Sequence, residues 1–213
     1  MPLIIIACVL VSHLAQPPAQ PEQQDPAVLA KMEELGAVYL TRLVPQGQPR
    51  GVKGPIVGVD FRPMAGTDPK KIVEVVKEFS SLPELQTILL LGQDVTDEAA
   101  DAIPASAKLT SIQFFNTKVT DNGMIKLNRF TSLNTFKYTG MGLSDVGMKD
   151  LAKIKTLQTI EITDSKITDE GVLALRTLPN LTRLTIENTA ATQQAIDQLE
   201  RQLPRVESRR FLR

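Results

Sequence analysis

The sequence predicts an α/β solenoid in which a parallel sheet lies on one side and short helices lie on the other. Five leucines stand 24 residues apart: Leu85, Leu109, Leu133, Leu157 and Leu181. Each opens the pattern apolar-x-x-apolar-x-apolar, whose last two positions have the two-residue period of a strand. A helix-start signal follows the strand. A unit of this length cannot bury its apolar face alone, so consecutive units must stack.

Aliphatic or aromatic residues occupy the strand positions of every copy. The copies are Leu85-Ile88-Leu90, Leu109-Ile112-Phe114, Leu133-Phe136-Tyr138, Leu157-Ile160-Ile162 and Leu181-Leu184-Ile186. Five residues after each strand another apolar side chain follows: Val95, Val119, Leu143, Ile167 and Ala191.

The helix-start signal joins a Ser or Thr to an Asp, as in Thr96-Asp97, Thr120-Asp121, Ser144-Asp145 and Thr168-Asp169. Short oxygen-bearing side chains accept hydrogen bonds from the free amides of a first helical turn. We therefore predict that each Asp caps its own helix. The alternative, a ladder of carboxylates that binds a cation, is less favoured because capping explains both the residue type and its position. The glycines two residues later are predicted to allow close contact between neighbouring turns: Gly123, Gly147 and Gly171.

These motifs resemble those of leucine-rich repeat proteins, and the Thr-Asp-x-Gly element resembles the short repeat arrays of planctomycete-type bacteria. The resemblance covers roughly Asp25 to Pro204, and it implies a curved parallel sheet on the inside with short helices outside. The family pattern places an Asn at the ninth position. That position here holds Gln93, Thr117, Met141, Ser165 and Thr189. Because Met141 has no hydroxyl to bond backbone, we expect the third repeat to be the least regular.

A degenerate sixth copy and an N-terminal cap are predicted before the regular repeats. Ile56, Val59 and Phe61 match the strand positions, and Thr67-Asp68-Pro69 opens a helix. Upstream, a helix from Asp25 to about Leu35 ends at Gly36. A strand follows, marked by Val38, Leu40 and Leu43, which we expect to pair antiparallel with the Ile56 strand.

At the other end, Thr192 to Leu203 lacks the Asp and Gly of the motif, which marks the end of the array. We predict that this segment forms a closing amphipathic helix. The predicted organisation is an export signal and linker over 1–21, an N-terminal cap over 22–55, about six repeats over 56–204 and a basic tail over 205–213. The tail holds Arg205, Arg209, Arg210 and Arg213. We expect it to be solvated, and an acidic partner is the less favoured reading.

The first residues have the character of an export signal, which places the protein in the periplasm, at the cell surface or outside the cell. Leu3 to Leu14 is apolar apart from His13, too short to span a bilayer, and is followed by a Pro- and Gln-rich stretch. No basic residue precedes it, so a disordered apolar tail and an uncleaved anchor are the alternatives. Cys8 resembles a lipoprotein acylation site, although a small apolar role within the signal is favoured.

Composition and motifs exclude most kinds of reactive site. The net charge is +0, with 24 basic and 24 acidic residues, which argues against general binding to nucleic acid or membrane surfaces. His13 and Cys8 are the only residues of their types, and both lie in the predicted signal. Removal of that signal excludes Ser-His and Cys-His pairs and His/Cys zinc sites. We expect no catalytic residue, metal or cofactor.

The candidate binding residues lie between the core positions of the strands, where alternation turns side chains away from the helices. Most of these positions are small, polar or of mixed charge. Leu89, Leu91 and Phe115 are the apolar exception, and Leu91 should lie beside Phe115. Such a group marks either a protein contact or a surface covered by the N-terminal segment or first loop. The predicted site is completed by a polar rim: Gln113, Lys137 and Glu161.

We therefore expect a non-catalytic protein-binding or scaffold module that uses the inner sheet face. The expected partner is a protein, not a nucleic acid, and membrane association is expected only through the N-terminal anchor or a lipid on Cys8. Two alternatives stay open: a carboxylate-dependent hydrolase of cell-surface polymers, and a structural subunit of an envelope assembly.

Overall fold

The computed structural model describes residues 26–41 and 55–211, in which eight strands form one sheet in chain order. The strands are β1 Ala37–Thr41, β2 Ile56–Phe61, β3 Thr87–Leu91, β4 Ser111–Phe115, β5 Thr135–Thr139, β6 Thr159–Thr163, β7 Arg183–Glu187 and β8 Glu207–Phe211. β1 is antiparallel to β2, and every later neighbour is parallel. The predicted α/β class and repeat architecture are confirmed.

Short helices connect the strands and pack on one side of the sheet. They are α1 Pro26–Glu34, α2 Pro69–Glu78, α3 Asp97–Ala102, α4 Asp121–Lys126, α5 Asp145–Leu151, α6 Asp169–Ala174 and α7 Gln193–Gln202. Three of them continue into 3₁₀ turns: Phe79–Ser81, Leu127–Arg129 and Leu175–Thr177. Each crossover thus returns the chain to the start of the next strand after a single short helix.

The core lies between the sheet and the helices and is formed by the periodic apolar positions. Every strand and loop position identified from the 24-residue period is at most 2% exposed. Three aromatic rings fill its middle: Phe114 lies 6.3 Å edge-on from Phe136, which stacks 6.4 Å from Tyr138. Burial of one column of side chains through successive repeats supplies the hydrophobic stabilisation that a single repeat cannot.

The aspartates of the Thr-Asp motif tie each repeat to the next, so the prediction that they cap their own helices is wrong. Asp121 Oδ1 accepts from the Ser144 amide at 2.9 Å and from the Gly147 amide at 3.0 Å. Its Oδ2 accepts from the Ser144 hydroxyl at 2.6 Å. We call this arrangement the carboxylate clasp. It recurs from Asp97 to Thr120, Asp145 to Thr168 and Asp169 to Thr192.

The helix caps are instead the hydroxyl residues. Thr120 Oγ1 accepts from the Asn122 amide at 3.3 Å, and Ser144 Oγ accepts from the Val146 amide at 3.2 Å. The same hydroxyl donates to the carboxylate of the preceding repeat. One hydroxyl thereby satisfies a free amide of its own helix and fixes the preceding aspartate.

The motif glycines let the carboxylate approach the next helix closely, which confirms their predicted role in close contact. A Cβ atom on Gly147 would lie 2.4 Å from Asp121 Oδ1 and 2.3 Å from a methyl of Leu143. A Cβ on Gly171 would lie 2.3 Å from Asp145 Oδ1. At α7, where Ala195 stands at the glycine position, Asp169 still bonds the amide and hydroxyl of the N-cap residue.

The degenerate first copy lacks this connection to its successor. Asp68 is the N-cap of α2 and accepts from the Lys70 amide at 2.9 Å, so its carboxylate serves its own helix. At the next helix, Thr96 makes no side-chain capping bond. The predicted strand and Pro-initiated helix of this copy are confirmed, with Ile56, Val59 and Phe61 buried.

A second bond between repeats is made by Arg129, which the sequence did not reveal. Its guanidinium donates to the carbonyls of Ala100, Asp101 and Ile103 at 2.7–3.3 Å, near the end of α3. Helix C-termini leave carbonyls unpaired, so a cation there is favourable both as a donor and through the helix dipole.

The N-terminal cap has the predicted form. α1 ends before Gly36, which has a φ of +100°, and β1 then pairs with β2. The Tyr39 hydroxyl donates to the Leu29 carbonyl at 3.0 Å and joins β1 to α1. Met32 is fully buried against the repeats. The apolar end of the stack is therefore covered by α1.

The sheet continues beyond residue 204, so Glu207–Phe211 form a strand rather than a frayed end, while Glu207 and Arg209 are exposed as expected. α7 forms as predicted, but β8 follows it and pairs with β7 along five residues. The Glu207 amide donates to the Thr182 carbonyl at 2.8 Å, the bond that also starts the preceding strands. Glu, Ser and Arg give β8 no apolar alternation, which concealed the strand in the sequence.

The third repeat is as regular as its neighbours, contrary to the prediction from Met141. β5 pairs along five residues with both β4 and β6. Met141 points outward and is 63% exposed, while the buried Tyr138 hydroxyl donates to the Val119 carbonyl at 2.7 Å and accepts from the Gly142 amide at 3.1 Å. The phenol replaces the missing hydroxyl. Burial raises the pKa of Tyr138 to about 12.

Several sequence predictions lie outside the described residues. These are the export signal and linker over 1–21, the possible lipid site at Cys8, the parts of the N-terminal cap over 22–25 and 42–54 (including Leu43), and the last two residues of the tail.

Loss of one clasp should destabilise the fold. We expect Asp121→Asn to lower the free energy of unfolding by about 2 kcal/mol, because an amide oxygen is a weaker acceptor and its NH₂ group faces donors. Asp101→Asn is the control, since Asp101 is 53% exposed in ion pairs with Lys126 and Arg129 and such pairs contribute little. Equal urea midpoints for Asp121→Asn and wild type would contradict the clasp.

Tyr138→Phe should lower the free energy of unfolding by about 1–3 kcal/mol at neutral pH, because a buried carbonyl and a part-buried amide lose their partner. It should also reduce the loss of stability at high pH. The unfolded phenol ionises near its ordinary pKa of 10.0 and the folded one only near about 12, so wild type loses stability as pH rises through this range. Urea unfolding as a function of pH measures both. A variant with the alkaline slope of wild type would refute the second expectation.

Candidate protein-binding face

The side of the sheet that faces away from the helices carries the predicted binding residues. We call it the open face, and it consists of the strand side chains between the core positions. Strand register places these residues in columns across the sheet. The middle column runs Asp60, Leu89, Gln113, Lys137, Glu161, Thr185 and Arg209. The six predicted residues therefore lie on one surface.

The apolar group predicted on this face is contiguous. Leu91 pairs with Phe115 in the register of β3 and β4, and Leu89 pairs with Gln113. All four are half-buried. The loop after β2 approaches one end of this group, since a Cβ on Gly92 would lie 4.0 Å from Pro63. The predicted cover by the N-terminal segment concerns residues outside those that the structure describes.

Polar residues next to this group are held by bonds along the face. Gln113 Nε2 donates to Ser111 Oγ at 3.2 Å. Lys137 Nζ lies 2.8 Å from Glu161 Oε2, with about a third of each side chain exposed. The ion pair neutralises the centre of the face, and at this exposure it contributes little to folding. The Lys137–Glu161 pair also marks the boundary of the apolar group on the side of β5.

Val38 and Leu40 extend the apolar group, and the sequence reasoning did not place them there. In the antiparallel β1–β2 pair, Val38 is opposite Asp60 and Leu40 is opposite Gly58. Paired residues share a face, so both lie on the open face, where they are 58% and 54% exposed. Their alternation around Tyr39, combined with the predicted hairpin, was the signal that could have located them.

A column of residues with positive φ ends the strands of the five regular repeats. It holds Gly92, Asn116, Gly140, Asp164 and Asn188. Gly, Asn and Asp tolerate this conformation best, so the residue types were a signal that the sequence analysis overlooked. The Asn188 amide donates to Asp164 Oδ1 at 2.5 Å. The column turns each chain off the sheet and thereby sets the end of the open face.

The aligned carboxylates that could have formed a reactive or cation-binding set are already engaged. Both oxygens of Asp97, Asp121, Asp145 and Asp169 accept bonds from the following repeat. In the part of the chain that the structure describes, no three His, Cys, Asp or Glu residues are grouped as a metal site would require. The carboxylates therefore have a structural role.

A groove of about 610 Å³ on the helical side is lined by nine residues of α5, α6 and their connections, four of which are basic: Lys149, Lys153, Lys155 and Arg176. Its cations are largely paired: Lys149 Nζ bonds Glu170 at 2.6 Å, and Lys153 bonds Asp150. Lys155 donates to two carbonyls and a hydroxyl. The bond with Glu170 raises the pKa of Lys149. Because three of its four cations already bond protein groups, this groove is a weaker candidate site than the open face.

Comparison with known proteins agrees with this architecture. An internalin of Listeria monocytogenes has a similar structure, with a TM-score of 0.50 and 12% identity over 71% of this chain and 46% of the internalin. Internalin C2 of the same species aligns at a TM-score of 0.44 with 14% identity, over 73% and 80% of the two chains. The sequence profile of the family described as Leucine Rich repeat matches residues 153–175. The chain therefore has a leucine-rich repeat fold.

In this chain, the segment that matches the family profile runs from the end of α5 into the 3₁₀ turn after α6. It includes one strand and one Thr-Asp-x-Gly helix start. At 12% identity the internalin shows the fold alone, and the aligned part is less than half of that chain. No curated protein matches the sequence. The likeness to planctomycete-type arrays stays a prediction.

Proposed function

We propose that this protein is a non-catalytic protein-binding module that uses the open face of its sheet. The observation that carries the proposal is the contiguous apolar group of Leu89, Leu91 and Phe115, extended by Val38 and Leu40. Half-buried and exposed apolar residues beside a polar rim are typical of contact sites. Gln113, Lys137 and Glu161 supply that rim.

A carboxylate-dependent hydrolase has less support. General acid-base catalysis needs a carboxyl group that is free to exchange a proton with substrate, whereas the aligned aspartates accept two or three bonds each from the next repeat. The open-face carboxylates Asp60 and Glu161 are each paired with a cation. The proposed role is therefore recognition rather than catalysis.

The proposed place of action is outside the cytoplasm. The support is the apolar stretch from Leu3 to Leu14 followed by a Pro- and Gln-rich segment. None of the helices in residues 26–41 and 55–211 is both long and apolar enough to cross a membrane. Any attachment to a membrane is proposed to come from the N-terminal segment or a lipid on Cys8.

Charges placed in the apolar group should abolish capture of a partner. We expect the double variant Leu91→Asp plus Phe115→Asp, immobilised on beads, to retain at least tenfold less of the proteins that wild type captures from envelope extracts of the source cells, because desolvating two carboxylates opposes docking. Quantitative mass spectrometry of the captured proteins is the measurement.

The matched control is Thr139→Asp plus Thr163→Asp, which places the same charges two strands further along the same column. Circular dichroism establishes that each variant is folded. Capture by the Leu91/Phe115 variant at wild-type level would refute the open-face site. Equal loss in both variants would assign the contact to the charge of the whole face rather than to the apolar group.

Mass spectrometry of the native N-terminus tests the location. We expect a mature chain that starts within 1–21, because an export signal is removed during secretion. A diacylglycerol-modified Cys8 would indicate a lipoprotein instead. An intact chain beginning at Met1 in the cytoplasmic fraction would contradict export.

A further inference from the structure

We propose that the open face binds a polypeptide segment whose apolar side chains flank a carboxylate, and that Arg62 binds that carboxylate. This inference rests on the proposed function, and it adds the chemistry of the partner. It is carried by three features of the β1–β4 end of the face: an enlarged apolar surface, a fixed guanidinium within it, and the greater exposure of that guanidinium than of the carboxylate it pairs with.

The apolar surface spans four strands because β1 belongs to it. Val38 and Leu40 are each more than half exposed, on the face that also holds Leu91 and Phe115. Asp60 stands between Val38 and Leu89, and Gly58 stands between Leu40 and Thr87. A Cβ on Gly58 would lie 3.0 Å from a methyl of Leu40, so the Leu40 side chain lies across the glycine. The two apolar parts of the surface therefore flank Asp60 and Arg62. Three strand spacings are about 14 Å, a length that four or five residues of extended peptide cover.

Arg62 is the charged donor within this surface. Its Nε lies 2.9 Å from Asp60 Oδ1 and its Nη2 lies 2.7 Å from Asp60 Oδ2, a bidentate arrangement that fixes the plane of the guanidinium. Nη1 makes no protein hydrogen bond among the described residues, and the side chain is 58% exposed. One residue past the Phe61–Leu90 pair, Arg62 is in line with Leu91. A held guanidinium loses little entropy when it binds a second acceptor.

The Arg62–Asp60 pair is neutral as a whole, but the atoms it exposes at this end of the face are mainly those of the guanidinium. Asp60 and Arg62 are the charged residues among the open-face positions of β1 to β4, and both Asp60 oxygens are occupied while its side chain is only 19% exposed. A partner therefore meets apolar side chains and N–H donors. The complementary group is a carboxylate, which the free edge of a guanidinium binds well.

A peptide fits these features better than a lipid surface or a second copy. Attraction to anionic lipid takes a cluster of several basic residues, whereas this end of the face has one. Self-association through this face would oppose Arg62 to apolar residues or to another Arg62, with no free carboxylate at this end to bind it. The peptide is therefore the occupant to test, and vesicle binding and dimerisation are outcomes of the same experiment.

Selection from a random-peptide display library against the folded, full-length chain tests the proposal. We expect the enriched peptides to contain Asp or Glu within one or two positions of aliphatic or aromatic residues. For a synthetic peptide with the enriched sequence, Arg62→Gln should weaken binding by about tenfold or more. Arg183→Gln is the matched control, since Arg183 is exposed on the open face at β7, and it should leave affinity unchanged.

A double-mutant cycle assigns the contact. Replacing the peptide's Asp by Asn should weaken binding to wild type as much as Arg62→Gln does. The two changes together should lower the affinity little more than either change alone. Enriched peptides without acidic residues, or additive losses, overturn the role of Arg62. The role of Arg62 is also overturned if no peptide is enriched and the chain instead binds phosphatidylglycerol vesicles, or forms dimers by light scattering, in a manner that depends on Arg62.

The experiment separates this inference from the function on which it rests. Peptides that bind wild type but not the Leu91/Phe115 variant, and are insensitive to Arg62→Gln, would retain the open-face site and refute the carboxylate contact. Peptides that bind both of these variants as well as wild type would refute both proposals.

Discussion

A carboxylate that bonds the following repeat is the interaction on which the rest of this structure depends. Asp121 joins α4 to the start of α5 through both of its oxygens, and the equivalent aspartates do the same along the array. The contact needs a short acid and a hydroxyl residue at the next N-cap, and a glycine in the first turn of α4, α5 and α6 leaves room for the carboxylate. Because these requirements recur every 24 residues, neighbouring helices keep one separation and the parallel strands keep one register.

The uniform register has a direct consequence for function. Residues between the core positions form straight columns on the open face, so that side chains distant in sequence, such as Val38, Leu91 and Phe115, share one surface. The clasps meanwhile occupy the carboxylates that would otherwise be the obvious reactive groups. The side chains that differ from repeat to repeat therefore lie on the open face. Its β1–β4 end carries apolar residues and a bound guanidinium, and its centre carries the neutralised Lys137–Glu161 pair.

Predictions from the sequence succeeded for burial and for the positions of strands and helices, and failed for hydrogen bonds whose partner lies in another repeat. Burial of Leu85 or Ile160 follows from period alone, and so does the position of the helices. The bond that Asp121 accepts from Ser144, and the bond that the Tyr138 hydroxyl donates to the Val119 carbonyl, join residues about 20 positions apart. The sequence did not predict β8, because the backbone bonds of β8 to β7 need no apolar side chains. Of the candidate site, Leu89, Leu91 and Phe115 could be found from alternation, but Arg62 acquires its geometry from Asp60.

The sequence by itself determined the α/β repeat architecture, the core columns and the glycine positions, because stacking imposes a fixed spacing that is visible in a single chain. Only the tertiary structure decided which atoms satisfy the motif aspartates, that the sheet extends to Phe211, and that β1 adds Val38 and Leu40 to the open face. The physical reason is that hydrogen-bond partners and shared surfaces are set by the lateral packing of separate repeats. Periodicity along the chain specifies where residues recur, but contacts across the stack specify what they do.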